Sequence, residues 1–215
     1  MNQIFFQFYG YDVSYFEFFG MVTGIVAVWL SALANIWSWP IGIINVVLSF
    51  FVFYQVQLYP DMFLQIFFFV TNIIGWWRWS HPKPIEEDRK HELKISFMNR
   101  NQIFGTVTIA IAGTVALGYF ASKLHYMIPL VFTKPSASPY MDSFITVMSI
   151  VTTFYMIEKK VECWIIWILI DILATYLYFT RGILLYSVLY GIFTIIAVFA
   201  LWNWIREYRS YRAYV

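Results

Sequence analysis

Apolar residues run along most of this chain in blocks of about twenty, parted by short polar or proline-containing breaks. A helix needs about 20 mostly apolar residues to cross the hydrocarbon core of a bilayer. Seven such blocks can be drawn, at 15–33, 39–56, 62–79, 102–122, 141–157, 163–180 and 183–204. The breaks carry turn chemistry. Leu58-Tyr59-Pro60-Asp61 parts the second block from the third, because proline lacks an N–H and disfavours helix before it. Pro135, with Ser136 to Pro139, parts the fourth from the fifth, and Arg181-Gly182 the sixth from the seventh. Segment 80–100 is the one long charged connection, with Glu86, Glu87, Asp88, Arg89 and Lys90, and is expected to be solvated. Met1 to Gly10 has no basic residue before its apolar part, which does not suit a cleaved signal peptide. Its Phe5, Phe6, Phe8 and Tyr9 suit an interfacial segment.

Composition removes the soluble alternative. Of 215 residues, 61% are hydrophobic, 22% aromatic and 12% charged, whereas a soluble domain carries about 25% charged residues. One soluble core of this length does not hide so much apolar surface; lipid does. A net charge of +2 gives no case for nucleic acid. Cys163 is the sole cysteine, so no intramolecular disulfide forms. His81, His91 and His125 have no second ligand at metal spacing, so no metal or other cofactor is expected. Basic residues then sort the loops. One side receives Arg78, Lys83, Arg89, Lys90, Lys94, Arg100, Lys159, Lys160, Arg206, Arg209 and Arg212, and the other only Lys123, Lys134 and Arg181, which accounts for all 14. The side rich in Lys and Arg is expected to be cytoplasmic, with the N-terminus outside and the C-terminus inside.

Shifted by 125 residues, the chain meets itself. Trp39 falls on Trp164, Trp77 on Trp202 and Trp79 on Trp204; Tyr15 falls on Tyr140, Glu17 on Asp142, Phe19 on Phe144 and Phe68 on Phe193. Ile, Val and Phe matches are cheap in such a chain, but three tryptophans at one offset are not. Two parallel three-helix repeats joined by one linking helix follow, an arrangement of transporters whose solute site lies near mid-membrane between the repeats. The chain therefore divides into an N-terminal interfacial segment (1–14), a first repeat (15–79), a cytoplasmic charged loop (80–101), a linking helix (102–122), an outer loop (123–139), a second repeat (140–204) and a cytoplasmic tail (205–215).

Polar groups inside spans are costly and point to function. At 1.5 Å per residue, Asn45, Asn72, Thr152 and Asp171 fall near the midplane. The strongest local constellation is Glu162-X-Trp164-X-X-Trp167-X-X-X-Asp171. Its positions 164, 167 and 171 share one helical face, with two π surfaces and one carboxylate. An aromatic ring stacks on such tryptophans, and a cationic ring gains a further ~0.5–2 kcal/mol. Trp77, Trp79, Trp202 and Trp204 are expected to be interfacial anchors. Glu17 and Asp142 are expected to stabilise helix N-termini.

Trp37-Ser-Trp39-Pro40-Ile-Gly42-Ile-Ile-Asn45, then Tyr59-Pro-Asp61, Leu64-Gln65 and Asn72-Ile-Ile-Gly75-Trp76-Trp77-Arg-Trp79, together with Glu162/Trp164/Trp167/Asp171, closely resemble the PnuC family. Its members are bacterial inner-membrane transporters of vitamin precursors, above all nicotinamide riboside. The resemblance covers nearly all of the chain from about residue 15. It implies an all-α, seven-helix 3+1+3 fold similar to a full-length SWEET transporter, assembled as a homotrimer. It implies facilitated diffusion, with the solute trapped by a cytoplasmic ribosylnicotinamide kinase. It also implies that Trp164, Trp167 and Asp171 line the site with Asn45, Gln65 and Asn72. Thr152 and Tyr190 join them from their depth. Trp37 and Trp39 are expected near an inner gate.

Alternatives stay open at this point. A thiamine transporter of the same family and a SWEET-like sugar transporter fit the same pattern, and proton coupling through Asp171 or Glu162 is compatible with it. A retinal protein is excluded by the absence of lysine from 183–204. No G-x-x-x-x-G-K phosphate loop is present to couple ATP. No nucleophile, base or paired acids suggest an enzyme.

Overall fold

The computed structural model describes residues 4–8, 11–55, 59–88, 91–127 and 138–212. Leu58, Arg89, Lys90, Lys134, Pro135 and Ser136, which entered the reading of turns and charges, lie outside these residues. Seven long helices follow one another: α1 (Tyr15–Ala32), α2 (Ser38–Gln55), α3 (Tyr59–Ser80), α4 (Arg100–Met127), α5 (Pro139–Ile157), α6 (Glu162–Thr180) and α7 (Leu184–Arg212). Five of them, all but α2 and α3, have by themselves the length and apolarity to cross a membrane. The chain is an all-α integral membrane protein. α4 and α7 run past their apolar blocks into polar sequence, where the hydropathy signal ends but the backbone bonding does not. Pro60 sits in the first turn of α3, where a missing N–H leaves no helical bond unmade.

The N-terminal segment is a two-stranded antiparallel ribbon, β1 (Ile4–Phe8) and β2 (Tyr11–Ser14). Phe5 packs on Tyr15 at 4.8 Å and on Phe18 at 4.7 Å, fixing the ribbon to α1. Ser14 closes a capping box. Its Oγ accepts from the Glu17 N–H, and its own N–H donates to the Glu17 carboxylate at 2.8 Å.

The repeats meet along α1 with α7 and α3 with α5, while α4 packs along α5. Their bonds are reciprocal. Trp204 Nε1 donates to the Ser31 carbonyl at 3.1 Å, and Trp79 Nε1 to the Met156 carbonyl at 3.2 Å. Ser31 and Met156 are 125 residues apart, as are the two tryptophans. One residue earlier, Asn203 Nδ2 donates to the Ala32 carbonyl at 2.9 Å, and Arg78 pairs with Glu158 at 3.0 Å. α1 and α5 also end alike. Asn35 N–H bonds the Leu30 carbonyl and Lys160 N–H the Tyr155 carbonyl, with Ala34 (φ 53°) and Lys159 (φ 47°) left-handed between. Such duplicated caps and mutual bonds are what a two-fold relation between similar units produces.

The Trp-X-Trp pairs split. Trp77 and Trp202 are exposed, as interfacial anchors are, but Trp79 and Trp204 are fully buried, contrary to the anchoring expected of them. Residues two apart on a helix point about 200° apart, so one of each pair turns outward and the other inward. The inward pair joins Trp39 and Trp164. Trp39 meets Trp79 edge to face at 5.2 Å and 89°, and Trp164 meets Trp204 at 5.5 Å and 87°. Trp79 and Trp204 touch at 6.2 Å, completing a four-tryptophan plug at one end of the bundle.

The charged connection straps this end and is only partly solvated. Leu93 and Ile95 are buried against the plug. Lys159, 1% exposed, holds Glu92 at 3.2 Å and lies 4.2 Å over the Trp79 ring. Burial lowers the Lys159 pKa against the opposing pull of Glu92. Arg78 bridges Glu86 as well as Glu158, and its guanidinium holds the Glu86 carboxyl below the usual range.

Candidate functional site

Between the repeats lies a cavity of about 400 Å³. Six helices wall it, and among the described residues α4 contributes none. Each element offers one stripe. Gly20 and Gly24 on α1 leave room at successive turns, Val28 lines the next, and the amide of Asn45 crosses from α2 to donate to the Gly20 carbonyl at 2.6 Å. On α3, Asn72 donates to the Phe68 carbonyl at 2.7 Å. Its Oδ1 lies where a Cβ on Gly42 would come within 2.3 Å, so only a bare backbone at 42 admits it. Trp39 is seated in the same way, its benzo edge on the bare backbone of Gly75. Asp171 stands midway along α6 and is buried. The neighbouring helix α7 adds Tyr186, Tyr190 and Phe193 to the lining, and Tyr178 of α6 packs behind them. Tyr190 stacks on Tyr178 at 5.3 Å and 12°, and Tyr178 in turn meets Tyr186 at 5.6 Å.

Of the residues expected at a site, Asn45, Gln65, Asn72, Trp164, Trp167, Asp171 and Tyr190 are brought to this one cavity. Thr152 is not. It is fully buried, with its hydroxyl donating to the Met148 carbonyl at 2.6 Å, and Thr153 lines the cavity in its place. Depth along a helix sets a residue's level but not its azimuth, and one residue turns the face by about 100°. Glu162 is also elsewhere: both its oxygens accept from the Met98 N–H at 3.0 Å, which ties the charged connection to the start of α6.

Other lining residues carried weak signals. Glu17, a capping-box residue, also reaches the cavity at the end where α1 begins. Ser31 and Ser38 line the opposite end, and polar residues near helix termini are too common to single out. The described lining residues include two carboxylates, Glu17 and Asp171, and no Lys, Arg or His. Such a wall favours a neutral or cationic solute and repels an anion, which finds no cation there to offset its desolvation.

Repeated three-helix units around a mid-bundle cavity with aromatic and carboxylate walls define a multi-pass membrane transporter. The sequence profile described as nicotinamide mononucleotide transporter matches residues 14–206, and the chain belongs to that family. It is 30% identical to the nicotinamide riboside transporter PnuC of Escherichia coli (strain K12), over 94% of this chain and 89% of the relative. It is 22% identical to the riboflavin/roseoflavin transporter RibM of Streptomyces davaonensis, over 99% of this chain and 95% of the relative. A crystal structure of the vitamin B3 transporter PnuC superposes with a TM-score of 0.66 at 25% identity, covering 89% of this chain and 81% of that one.

Proposed function

We propose that the chain takes up nicotinamide riboside across a bacterial inner membrane by facilitated diffusion. The observation that carries this reading is the cavity wall: Trp167 and Tyr190 offer π surfaces, and Asp171 stands beside them. Nicotinamide riboside is a flat pyridinium cation joined to a neutral sugar. Its ring gains stacking and cation–π attraction, and its charge finds a carboxylate. The mononucleotide adds a phosphate, for which the described wall has no basic partner. Trapping by a cytoplasmic kinase supplies the direction that diffusion lacks. The N-terminus lies outside and the four-tryptophan plug on the cytoplasmic side in this proposal, supported by the grouping of eleven of the 14 basic residues on one side. Assembly as a homotrimer belongs to the same proposal and rests on the family resemblance.

Calorimetric titration of the purified protein with nicotinamide riboside, the mononucleotide, thiamine and a disaccharide tests the substrate. Micromolar binding of the riboside alone is expected; equal or tighter thiamine binding sinks the assignment and leaves the family intact. Trp167→Ala and Asp171→Ala should each abolish riboside binding without unfolding the protein. Wild-type affinity in both moves the site elsewhere. Uptake into proteoliposomes that is indifferent to a collapsed proton gradient supports facilitated diffusion over proton coupling.

A further inference from the structure

Among the described residues, four buried side-chain polar atoms have no hydrogen-bond partner: Ser38 Oγ, Trp39 Nε1, Trp164 Nε1 and Thr114 Oγ1. Three of the four belong to residues at one end of the cavity wall, and only Thr114, on α4, stands apart. Ser38 is 3% exposed, Trp39 6% and Trp164 1%, so bulk water does not serve them. Burying a donor without an acceptor is costly, and native interiors avoid it unless a ligand or ordered water completes the set. The other two tryptophans of the plug show the contrast. Trp79 and Trp204 spend their indole N–H groups on carbonyls of the opposite repeat. Trp39 and Trp164, their neighbours in edge-to-face contact, do not.

We propose that Ser38, Trp39 and Trp164 form a floor of hydrogen-bond donors that receives hydroxyl oxygens from the non-aromatic end of the solute. With nicotinamide riboside, as the function proposed above has it, these are ribose hydroxyls. The spacing suits a two-part solute. Trp167 is one turn from Trp164, about 4.5 Å along α6, so a ring at Trp167 sets its attached sugar toward the floor. The chemistry suits it too, since two indoles only donate and a serine hydroxyl both donates and accepts. Hydroxyl oxygens satisfy such a set, whereas an aromatic edge does not. The floor is also the face of the plug that a solute must pass, so the same contact seats the sugar where the inner gate opens.

The test is a cycle between protein and solute. Ser38→Ala removes one donor, and 3-benzothienylalanine at position 39 replaces the indole N–H by sulfur while keeping the ring's shape. Each is titrated with nicotinamide riboside and with its 2′-, 3′- and 5′-deoxy forms, beside wild type and a Thr114→Ala control. Each floor change should weaken riboside binding three- to tenfold, and the loss should vanish against the deoxy form that lacks the partnered hydroxyl. Thr114→Ala should change nothing. Unchanged riboside affinity in both floor variants overturns the proposal, because the donors are then served by water. An equal loss for every probe overturns it too, because the changes then act on packing. A wild type that binds thiamine and not the riboside refutes the substrate instead. The floor is then read on thiamine and its form lacking the terminal hydroxyl, by the same criterion.

Discussion

Gly75→Ala is the smallest change that should reach the floor of the cavity from outside it. A Cβ built on Gly75 would lie 2.3 Å from Trp39 Cη2, 2.4 Å from Cζ3 and 2.5 Å from Cζ2. Carbon atoms in ordinary contact sit about 3.5 Å or more apart. The ring must therefore retreat by about 1.2 Å, the difference between about 3.5 Å and 2.3 Å. Trp79 already meets Trp39 edge to face at 5.2 Å, so the plug gives little way. What yields is the cavity that Trp39 lines. Overpacking of this kind costs about 1–3 kcal/mol of stability. The displaced floor should weaken solute binding about tenfold, equivalent to about 1.4 kcal/mol. The other repeat supplies the control, because position 200, 125 residues on, is already a fully buried alanine. Ala200→Gly should cost about 1 kcal/mol through helix propensity and leave binding alone. Thermal unfolding in detergent and riboside calorimetry read both. A Gly75→Ala protein with wild-type unfolding temperature and wild-type affinity refutes the reasoning.

The two tryptophans of one Trp-X-Trp should respond oppositely. Trp204→Phe loses the bond to Ser31 and leaves a void in the plug, costing about 2–4 kcal/mol, whereas exposed Trp202→Phe should cost under about 0.5 kcal/mol, both by thermal unfolding. Lys159 gives a pH signature. Burial lowers its pKa in the fold, so the unfolded chain binds more protons between that value and the ordinary lysine value of about 10.4. Stability attributable to Lys159 should therefore rise with pH across that window, and Lys159→Met should flatten the rise; an unchanged slope counts against the assignment.

Much of the fold was legible because lipid imposes a length. The breaks at Tyr59-Pro60 and Arg181-Gly182 follow from backbone chemistry that proline and glycine carry wherever they stand, and the repeat offset from the rarity of tryptophan. The plug was not. Trp79 and Trp77 differ only in azimuth, and azimuth is set by what packs around the helix. The same gap explains Thr152 and Thr153, which hydropathy places at one level and packing places on different faces. Leu93 and Ile95 were hidden inside a segment whose average is polar, since a strap needs only two apolar side chains to hold it down. Ser38 was hidden for another reason: its significance is a bond it lacks, and no local pattern records that.

The duplication also explains how one cavity is symmetric in shape and asymmetric in chemistry. Positions 125 residues apart line it together: Trp39 with Trp164, Phe68 with Phe193, Gly42 with Trp167, Val46 with Asp171, Gln65 with Tyr190 and Asn72 with Ala197. Only the first two pairs keep their residue, and both are aromatic. A cavity on a two-fold axis would present the same group twice to a solute that is not itself two-fold. Divergence at the other pairs removes that redundancy. One side presents the indole of Trp167 and the carboxylate of Asp171, and the other presents amides and the glycine that seats Asn72. The frame outside the cavity stayed matched, in its left-handed caps at Ala34 and Lys159 and in the bonds of Trp79 and Trp204 across the interface. If, as the proposed transport requires, one three-helix unit rocks against the other, a matched frame would be strained equally at both interfaces. The asymmetric wall would meanwhile hold the solute in one orientation through such a movement. On that proposal symmetry would serve the motion and asymmetry the recognition, and the tryptophan plug is where the two meet: Trp79 and Trp204 bond across the repeats as part of the frame, and Trp39 and Trp164 line the cavity.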